Sequence, residues 1–385
     1  MQTVTAADRR GGKGRLLGVD AARAIALIGM MAVHLLPSTD PDGTISVAYL
    51  IASGRSSALF AVLAGVGLAL ATGATTPPVG RARWAAAAGI GGRALILTFI
   101  GLLLGDIESG VAVILVNYGF LFLVGALLIG LSARVAGWLA VGWLVFAPFV
   151  SHWLRMRLPS PSLAVPGFTE LADPLAFLTE ILFTGYYPVF TWIAYLLTGL
   201  AVGRLRLASQ VSAVGLLAVG LIMAVGAKLF SAFLLDELGG RDAVGKLPIQ
   251  FFGTTPTNSW WYLAVDTPHS GTPLHFAHTI GSALAVLGAC LLLASAGRYV
   301  VAWLAGAGGM TLSLYTSHVV VLATRLGLDD RPRLLLWNVV GAVLIGFVWR
   351  RFVGRGPLEN LTANVAGSLK SAVLSYAPTR RSGAV

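Results

Sequence analysis

The chain has 385 residues, of which 56% are hydrophobic and only 11% are charged, with a formal net charge of +11. Because a water-soluble domain carries about a quarter charged residues, this composition excludes an ordinary soluble fold and indicates lipid as the solvent. The basic residues form short clusters between apolar segments, which is typical of membrane orientation and argues against nucleic-acid binding.

Apolar segments long enough to cross a bilayer recur along the chain. A spanning helix needs about 20 predominantly apolar residues. By this measure we expect an all-α polytopic membrane protein of about ten transmembrane helices. They are predicted at residues 16–36, 46–71, 84–105, 109–131, 134–155, 176–203, 209–235, 274–296, 299–325 and 333–352. No small-residue cleavage site follows the first segment, so we expect it to be retained and not removed as a signal peptide.

The distribution of Lys and Arg predicts the orientation in the membrane. Alternate connections are basic, as at Arg81, Arg83 and Arg204, whereas the opposite ones carry Asp and Glu. We therefore expect both termini in the cytoplasm and the protein in the plasma membrane. The predicted parts are a cytoplasmic segment 1–14, a helical membrane domain 15–352 and a loose, basic cytoplasmic tail 353–385.

The first predicted helix carries Asp20, Arg23 and His34. At 100° per residue, Arg23 lies about 20° to one side of the direction of His34, and Asp20 lies about 40° to the other side. Ionisable groups inside a span are costly, so this stripe is expected to face the bundle interior. The alternative interpretation is that Asp20 and Arg23 form a purely structural ion pair and that His34 lies at the membrane interface.

Other polar residues interrupt later spans. Arg55 needs either a carboxylate partner, such as Asp20 or Asp106, or an anionic ligand. Arg93 either serves a ligand or extends its side chain to the interface, as we also expect for Lys228. Asn117 and Tyr118 are predicted mainly to bond across the bundle. The segment Thr184-Gly-Tyr-Tyr-Pro188 predicts a broken sixth span that faces a cavity.

All six histidines fall in the outer half of the predicted topology: His34, His152, His269, His275, His278 and His318. In the ninth helix, Thr311, Tyr315 and His318 share one face. His269 lies in a long outer loop with Pro and Gly neighbours. Asp266 with the three histidines 269, 275 and 278 is a less favoured metal site, because the spacing matches no established ligand pattern.

Short segments carry a family resemblance in order along the chain. They are Arg15-Leu-Leu-Gly-Val-Asp20-Ala-Ala-Arg23, Gly54-Arg55-Ser-Ser-Ala-Leu-Phe60, Gly92-Arg93-Ala-Leu, Leu115-Val-Asn117-Tyr118-Gly119, Pro268-His269-Ser-Gly-Thr272, Gly309-Met-Thr-Leu-Ser-Leu-Tyr315-Thr-Ser-His318 and Gly356-Pro-Leu-Glu359. The sequence resembles the transmembrane acyltransferases related to heparan-alpha-glucosaminide N-acetyltransferase, in particular their bacterial YeiB-type branch. His318 falls on a histidine shared with the eukaryotic enzymes, whereas His34 stands where the lysosomal enzyme has asparagine.

The resemblance implies transfer of an acyl group, usually acetyl from acetyl-CoA, to a hydroxyl or amine acceptor across the membrane. Imidazole suits the general base, so the predicted catalytic residues are His318, His34 and His269. The predicted donor-binding residues are Arg23, Arg55, Arg93, Asn117, Tyr118 and Asp20, with Arg15, Arg81 and Arg83 at a basic inner mouth. Acceptor contacts are predicted for Tyr315, Thr311, Tyr187, Trp192 and Ser270.

The expected partners are membrane lipids and a small-molecule or glycan acceptor, with no nucleic acid and no metal; a homodimer is left open. A secondary transporter that uses the polar stripe as its pathway is the rival hypothesis. Against it, the two halves of the sequence show no matching pair of interrupted helices.

Overall fold

The computed structural model of the chain describes residues 16–376. The regular secondary structure in that range is helical, apart from one isolated bridge between Thr39 and Ile45. Its α-helices are α1 (Leu17–Leu35), α2 (Val47–Ala52), α3 (Arg55–Ala71), α4 (Gly80–Gly105), α5 (Leu115–Leu128), α6 (Ala133–Arg155), α7 (Pro174–Thr179), α8 (Val189–Gly203), α9 (Gln210–Ala232), α10 (Gly240–Val244), α11 (Pro273–Ala296), α12 (Arg298–Gly308), α13 (Thr311–Ala323), α14 (Arg331–Phe352) and α15 (Pro357–Ser375). Arg15, the predicted segment 1–14 and residues 377–385 of the predicted tail lie outside the described residues.

Seven helical segments in the described range are long and apolar enough to cross a membrane. The count is eight when the bent pair Pro174–Thr184 and Val189–Gly203, at 50° to one another, is taken as one span. The apolar α5 and α13 are shorter. The protein is therefore a multi-pass helical membrane protein, and the predicted number of about ten spans is not confirmed.

The predicted span 46–71 is interrupted at Gly54, between α2 and α3, and two other predicted spans also differ from the structure. The predicted helix 109–131 starts only at Leu115, because the preceding loop turns at Gly110 with a φ of 73°. The predicted helix 299–325 is two helices, since α12 ends at Gly308 and α13 begins at Thr311. Hydropathy does not register either interruption, because the residues at the breaks are themselves small or apolar.

The centre of the bundle is formed by α1, α3, α8 and α11, whose central residues are largely buried. Close packing at glycines makes this possible. A Cβ atom on Gly199 of α8 would collide with the carbonyl oxygen of Val62 in α3, and one on Gly203 would lie 2.9 Å from Val66. The two glycines therefore let α8 approach α3 closely, as small residues do between membrane helices.

The outer helices expose apolar faces, as lipid requires. Within the most apolar stretch of each helix, only 22% of the residues of α6 and 11% of those of α14 are buried, against 56% for α1. Large side chains such as Phe146 and Ile345 are consequently exposed on the protein surface. The apolar side chains on these faces are suited to contact the acyl chains of the lipid and are not packed into a protein core.

The loose tail predicted after residue 353 is wrong for residues 357–375, which form α15. This helix packs along α4, where Cβ atoms on Gly89 and Gly92 would collide with Ala366 and Leu369. Arg81 also donates to the carbonyl of Val373 at 3.0 Å. The side of α15 that faces away from α4 carries polar residues. For this reason the sequence alone predicts a loose polar tail.

The start of α15 also completes α13. Glu359 accepts hydrogen bonds from the backbone N–H groups of Leu312 at 2.7 Å and Ser313 at 3.1 Å, and from the Ser313 hydroxyl at 2.6 Å. The N-terminal N–H groups of a helix need acceptors, and α13 has no side-chain cap from its own preceding residue. Glu359 is therefore the N-terminal cap of α13, supplied from a different helix.

Replacing Glu359 by Ala should destabilise the protein by about 1–2 kcal/mol, because two helix N–H groups lose their acceptor. Thermal unfolding of the purified, detergent-solubilised protein measures the change. Glu108→Ala is the matched control, because Glu108 pairs only with exposed Arg325. Equal unfolding temperatures for both variants would contradict the capping role.

Candidate active site

A pair of histidines joins α1 to α13. Nδ1 of His34 lies 3.2 Å from Nε2 of His318, and the two rings stack with centroids 5.4 Å apart at an interplanar angle of 9°. On the other side of His318, its Nδ1 lies 3.0 Å from Oδ1 of Asn338 in α14. Three helices thus contribute to one line of hydrogen bonds.

The hydrogen bonds determine where the protons lie. Asn338 donates its amide N–H to the carbonyl of Leu334 at 2.9 Å, so its oxygen faces His318. An amide oxygen only accepts, so His318 donates from Nδ1 and its Nε2 carries a lone pair. His34 then donates from Nδ1, which leaves Nε2 of His34 as a free base. The line therefore presents one basic nitrogen, on His34.

His34 lies in the wall of a cavity of about 380 Å³, which we call the His34 cavity. The cavity is lined by Tyr49 and Ser53 at the end of α2, Ser56 and Ser57 in α3, and Tyr187 and His269. His318 is buried behind His34 and is not among the lining residues. The cavity thus offers hydroxyl groups and aromatic rings around two imidazoles, those of His34 and His269.

The polar stripe of α1 faces the bundle interior, as predicted. Asp20 is 2% exposed and lies between two arginines, 3.4 Å from Arg23 and 3.5 Å from Arg350. Arg23 in turn lies against α3, where a Cβ atom on Gly67 would be 2.7 Å from its Nη2. Asp20 therefore positions Arg23 through their ion pair.

A second cavity, of about 140 Å³, lies at the Arg23 end of the bundle, and we call it the Arg23 cavity. Of the predicted site residues it is lined by Arg23, Arg93, Tyr118, Thr311 and Tyr315. The Arg93 guanidinium lies 5.6 Å from the ring centre of Phe122, and its Nε has no hydrogen-bond partner in the described part of the chain. Two cations thus meet in one small cavity.

Other predicted site residues lie elsewhere. Arg55 belongs to neither cavity: it donates to His278 at 2.9 Å and to the Leu50 carbonyl, so the predicted pairing with Asp20 or Asp106 is wrong. Its position near the opposite end of the bundle separates it from Arg23. Lys228 is ion-paired with Asp266 at 3.2 Å instead of extending alone to the interface.

Several predicted residues support the site from within the protein. Asn117 donates to the carbonyl of Tyr187 at 3.0 Å, which satisfies the backbone where the sixth predicted span is broken. Trp192 packs edge-on against Tyr187, with centroids 5.1 Å apart. Ser270 bonds to Thr272 within its own loop. These contacts fit the helix-packing interpretation given for Asn117.

His269 lies in the loop before α11 and lines the His34 cavity. Its backbone has a φ of 57°, and its carbonyl accepts the N–H of Gly253 at 2.9 Å. The ring lies 4.8 Å from that of Tyr186. Burial lowers the pKa of His269 to about 4, so the ring is neutral at physiological pH.

Asn338 was missed by the sequence analysis. It is an amide in an otherwise apolar predicted span, 333–352, and intramembrane polar residues are a signal of interhelical bonding. Glu359 was noticed only as part of a motif, and it lines the Arg23 cavity. Within residues 16–376 there is no group of three or more His, Cys, Asp or Glu side chains arranged to hold a metal.

The fold and the cavities define a class: a multi-pass helical membrane protein with a histidine pair at one internal cavity and two arginines at another. A family model described as heparan-alpha-glucosaminide N-acetyltransferase, catalytic, matches residues 15–230, which is more than half of the chain. The chain belongs to this family. His34 lies inside the matched region, whereas His269, His318 and Asn338 follow it. No curated protein matches the chain.

The buried His269 predicts a pH effect on stability. Its pKa is about 4 when folded and about 6.5 when unfolded, so the unfolded chain binds the extra proton first as the pH falls. Stability is therefore lost between about pH 6.5 and 4, by at most about 1.4 kcal/mol per pH unit from this group. His269→Asn, which suits a positive φ, should flatten the pH dependence of thermal unfolding. An unchanged slope would refute the assignment.

Proposed function

We propose that this protein is a membrane-embedded acyltransferase, which moves an acetyl or other acyl group from acyl-CoA to a hydroxyl or amine acceptor. One observation carries the proposal: the 3.2 Å contact between His34 and His318 at the wall of a cavity, with the tautomer set by Asn338. Family membership supports the same reaction class. The general physical argument is that an acceptor hydroxyl needs a proton-accepting group within hydrogen-bond reach.

The donor is proposed to occupy the Arg23 cavity. Members of this family in general use acetyl-CoA, whose phosphates favour arginine, and Arg23 and Arg93 both line this cavity. The Arg81 and Arg83 side chains lie outside it and bond to the carbonyls of Val373 and Leu127. We therefore propose that Arg81 and Arg83 contribute to the positive electrostatic potential at this end of the bundle and do not contact the donor directly.

The two cavities are close enough to share one donor molecule. Ala112 lines the His34 cavity and Leu115 lines the Arg23 cavity. Three residues of chain span at most about 11 Å. The hydroxyl of Tyr315 accepts the N–H of Ile114 in this short segment at 3.4 Å. A thioester on a long flexible arm would therefore pass this segment to approach His34.

In the proposed reaction, the oxygen or nitrogen of the acceptor attacks the carbonyl carbon of the thioester. Nε2 of His34 takes the proton of that hydroxyl or amine at the same time. The carbon–sulfur bond then breaks, and the proton passes to the leaving thiolate. His318 holds the His34 ring in position and stabilises its charged form through their hydrogen bond. The hydroxyls of Ser56 and Ser57 are proposed to bind the acceptor.

The orientation in the membrane belongs to the same proposal. The Arg23 end is proposed to face the cytoplasm, where acyl-CoA is available, and the His34 end the opposite side of the plasma membrane. The acceptor is then an extracytoplasmic small molecule or glycan. Lysines and arginines clustered at the Arg23 end support this orientation. Both chain termini would lie in the cytoplasm.

A secondary transporter is the second candidate, because the bent pair Pro174–Thr184 and Val189–Gly203 is a broken span beside a cavity. Broken helices at mid-membrane often form transport sites. Proton-coupled uptake by reconstituted protein, without any transfer of label from acetyl-CoA, would favour this candidate.

Replacing His34 by Ala should lower acetyl transfer by about 1,000-fold, because the proton acceptor is lost, and His318→Ala by about 100-fold, because the base loses its partner. Transfer of radiolabel from acetyl-CoA to an acceptor fraction, in proteoliposomes, measures both effects. His34→Ala should leave acetyl-CoA binding unchanged.

Thr316→Val is the matched control. It is nearly isosteric, lies in the same helix as His318, and removes a buried hydroxyl that has no hydrogen-bond partner among residues 16–376. Its activity should equal that of the parent protein. If His34→Ala and Thr316→Val are both fully active, the histidine pair has no catalytic role.

A further inference from the structure

A third cavity, of about 210 Å³, lies beside the His34 cavity, and we call it the Arg55 cavity. It is lined by Arg55 from α3, Lys228 from α9, Asp266 and Thr267 from the loop before α11, and His275 and His278 from α11. Tyr49 and Ser53 line both this cavity and the His34 cavity. The two cavities therefore share a wall.

The Arg55 guanidinium is held in place by neutral groups. Nδ1 of His278 donates to the carbonyl of Ala224 at 2.9 Å, so its Nε2 has a lone pair that accepts the Nε–H of Arg55 at 2.9 Å. Nη1 of Arg55 donates to the Leu50 carbonyl. The remaining nitrogen, Nη2, has no hydrogen-bond partner among residues 16–376. Arg55 thus keeps donors free for a ligand.

Cations outnumber carboxylates in this cavity. Asp266 is paired with Lys228 at 3.2 Å, which leaves the charge of Arg55 in excess. The excess charge of the half-buried Arg55 favours a bound anion or water that balances it. The cavity is therefore suited to one anionic group.

His275 is an independent indication of a ligand. It is only 4% exposed and it lines the Arg55 cavity. Its Nδ1 is buried without a hydrogen-bond partner in the described part of the chain. Buried polar groups are nearly always satisfied, so an unpartnered imidazole nitrogen beside a cation suggests a group that binds there.

The rim of the Arg55 cavity is apolar. Ile45 is 48% exposed, Leu50 is 55% exposed and Ile249 is 39% exposed. A cationic floor below an apolar rim matches a molecule with an anionic head and a hydrocarbon chain. A soluble anion would gain nothing from this rim.

We propose that the Arg55 cavity binds the phosphate group of an amphipathic molecule, and that this molecule is the acyl acceptor. Its phosphate would accept hydrogen bonds from Arg55 and His275, its chain would lie along Leu50 and Ile249, and its reacting hydroxyl would reach His34 across Tyr49 and Ser53. The acceptor role rests on the proposed function, whereas binding of the phosphate amphiphile does not.

Binding is tested with dodecyl phosphate as the probe, on the full-length protein purified in an uncharged, phosphate-free maltoside detergent. Microscale thermophoresis gives the dissociation constant, and no acyl donor is added. Arg55→Gln should weaken binding by at least about tenfold, because charge-assisted hydrogen bonds to phosphate are lost. Inorganic phosphate, which lacks the chain, should bind much more weakly than dodecyl phosphate.

Two variants guard against effects on folding. Lys228→Met, at a side chain that is 53% exposed, should fold normally and weaken binding several-fold, as a cation of the cavity is lost. Arg241→Gln removes an exposed cation that pairs with Asp236 outside the cavity, and should leave binding unchanged. Equal affinity of the parent, Arg55→Gln and Lys228→Met for dodecyl phosphate would overturn the proposal. So would inorganic phosphate that binds as tightly as the amphiphile.

The binding result is separable from catalysis. His34→Ala should bind dodecyl phosphate as the parent does, because His34 lies outside the Arg55 cavity. If acetyl transfer is observed but the probe does not bind, this inference fails while the acyltransferase proposal stands. If the probe binds but no acetyl transfer occurs with any acceptor tested, the acyltransferase proposal and the acceptor role fail. Binding of a phosphate amphiphile in the Arg55 cavity then still stands.

Discussion

The hydrogen bond between His34 and His318 links helices that lie 284 residues apart in the chain, and its polarity is set by a third helix through Asn338. In a hydrocarbon environment, a polar side chain without a partner costs several kcal/mol. In this pair, Nδ1 of His34 and both ring nitrogens of His318 have partners, and His34 lines a cavity. The placement of α1, α13 and α14 relative to one another follows from that requirement, as does the chemistry available at the cavity.

Interrupted helices occur where the cavities are. The turn at Gly54 between α2 and α3 and the break at Tyr187 line the His34 cavity, and the break at Gly309 lines the Arg23 cavity. Non-helical backbone is tolerated at membrane depth only inside protein or beside water. Side chains from other helices satisfy the freed groups: Asn117 bonds the carbonyl of Tyr187, and Glu359 caps α13. The breaks thus make room for ligands at little cost in unsatisfied hydrogen bonds.

The arginines of the bundle line different cavities at its two ends. Arg23 and Arg93 meet at one end, and Arg55 lies at the other beside the loop that carries His269. Arginines that look equivalent in the sequence therefore serve different cavities. This division matches the proposed reaction, in which two substrates arrive from opposite sides of the membrane and the acceptor arrives on the side of the histidine pair.

Composition and periodicity alone determined that this chain is a helical membrane protein and that α1 turns a polar stripe inward. These features depend on residues near one another in sequence, so local patterns predict them. The tertiary structure alone decided that His34 meets His318, that Arg55 belongs with His278, that α12 and α13 are separate, and that residues 357–375 form a packed helix. Each of these depends on contacts between distant segments, and hydropathy contains no information on which helices are neighbours.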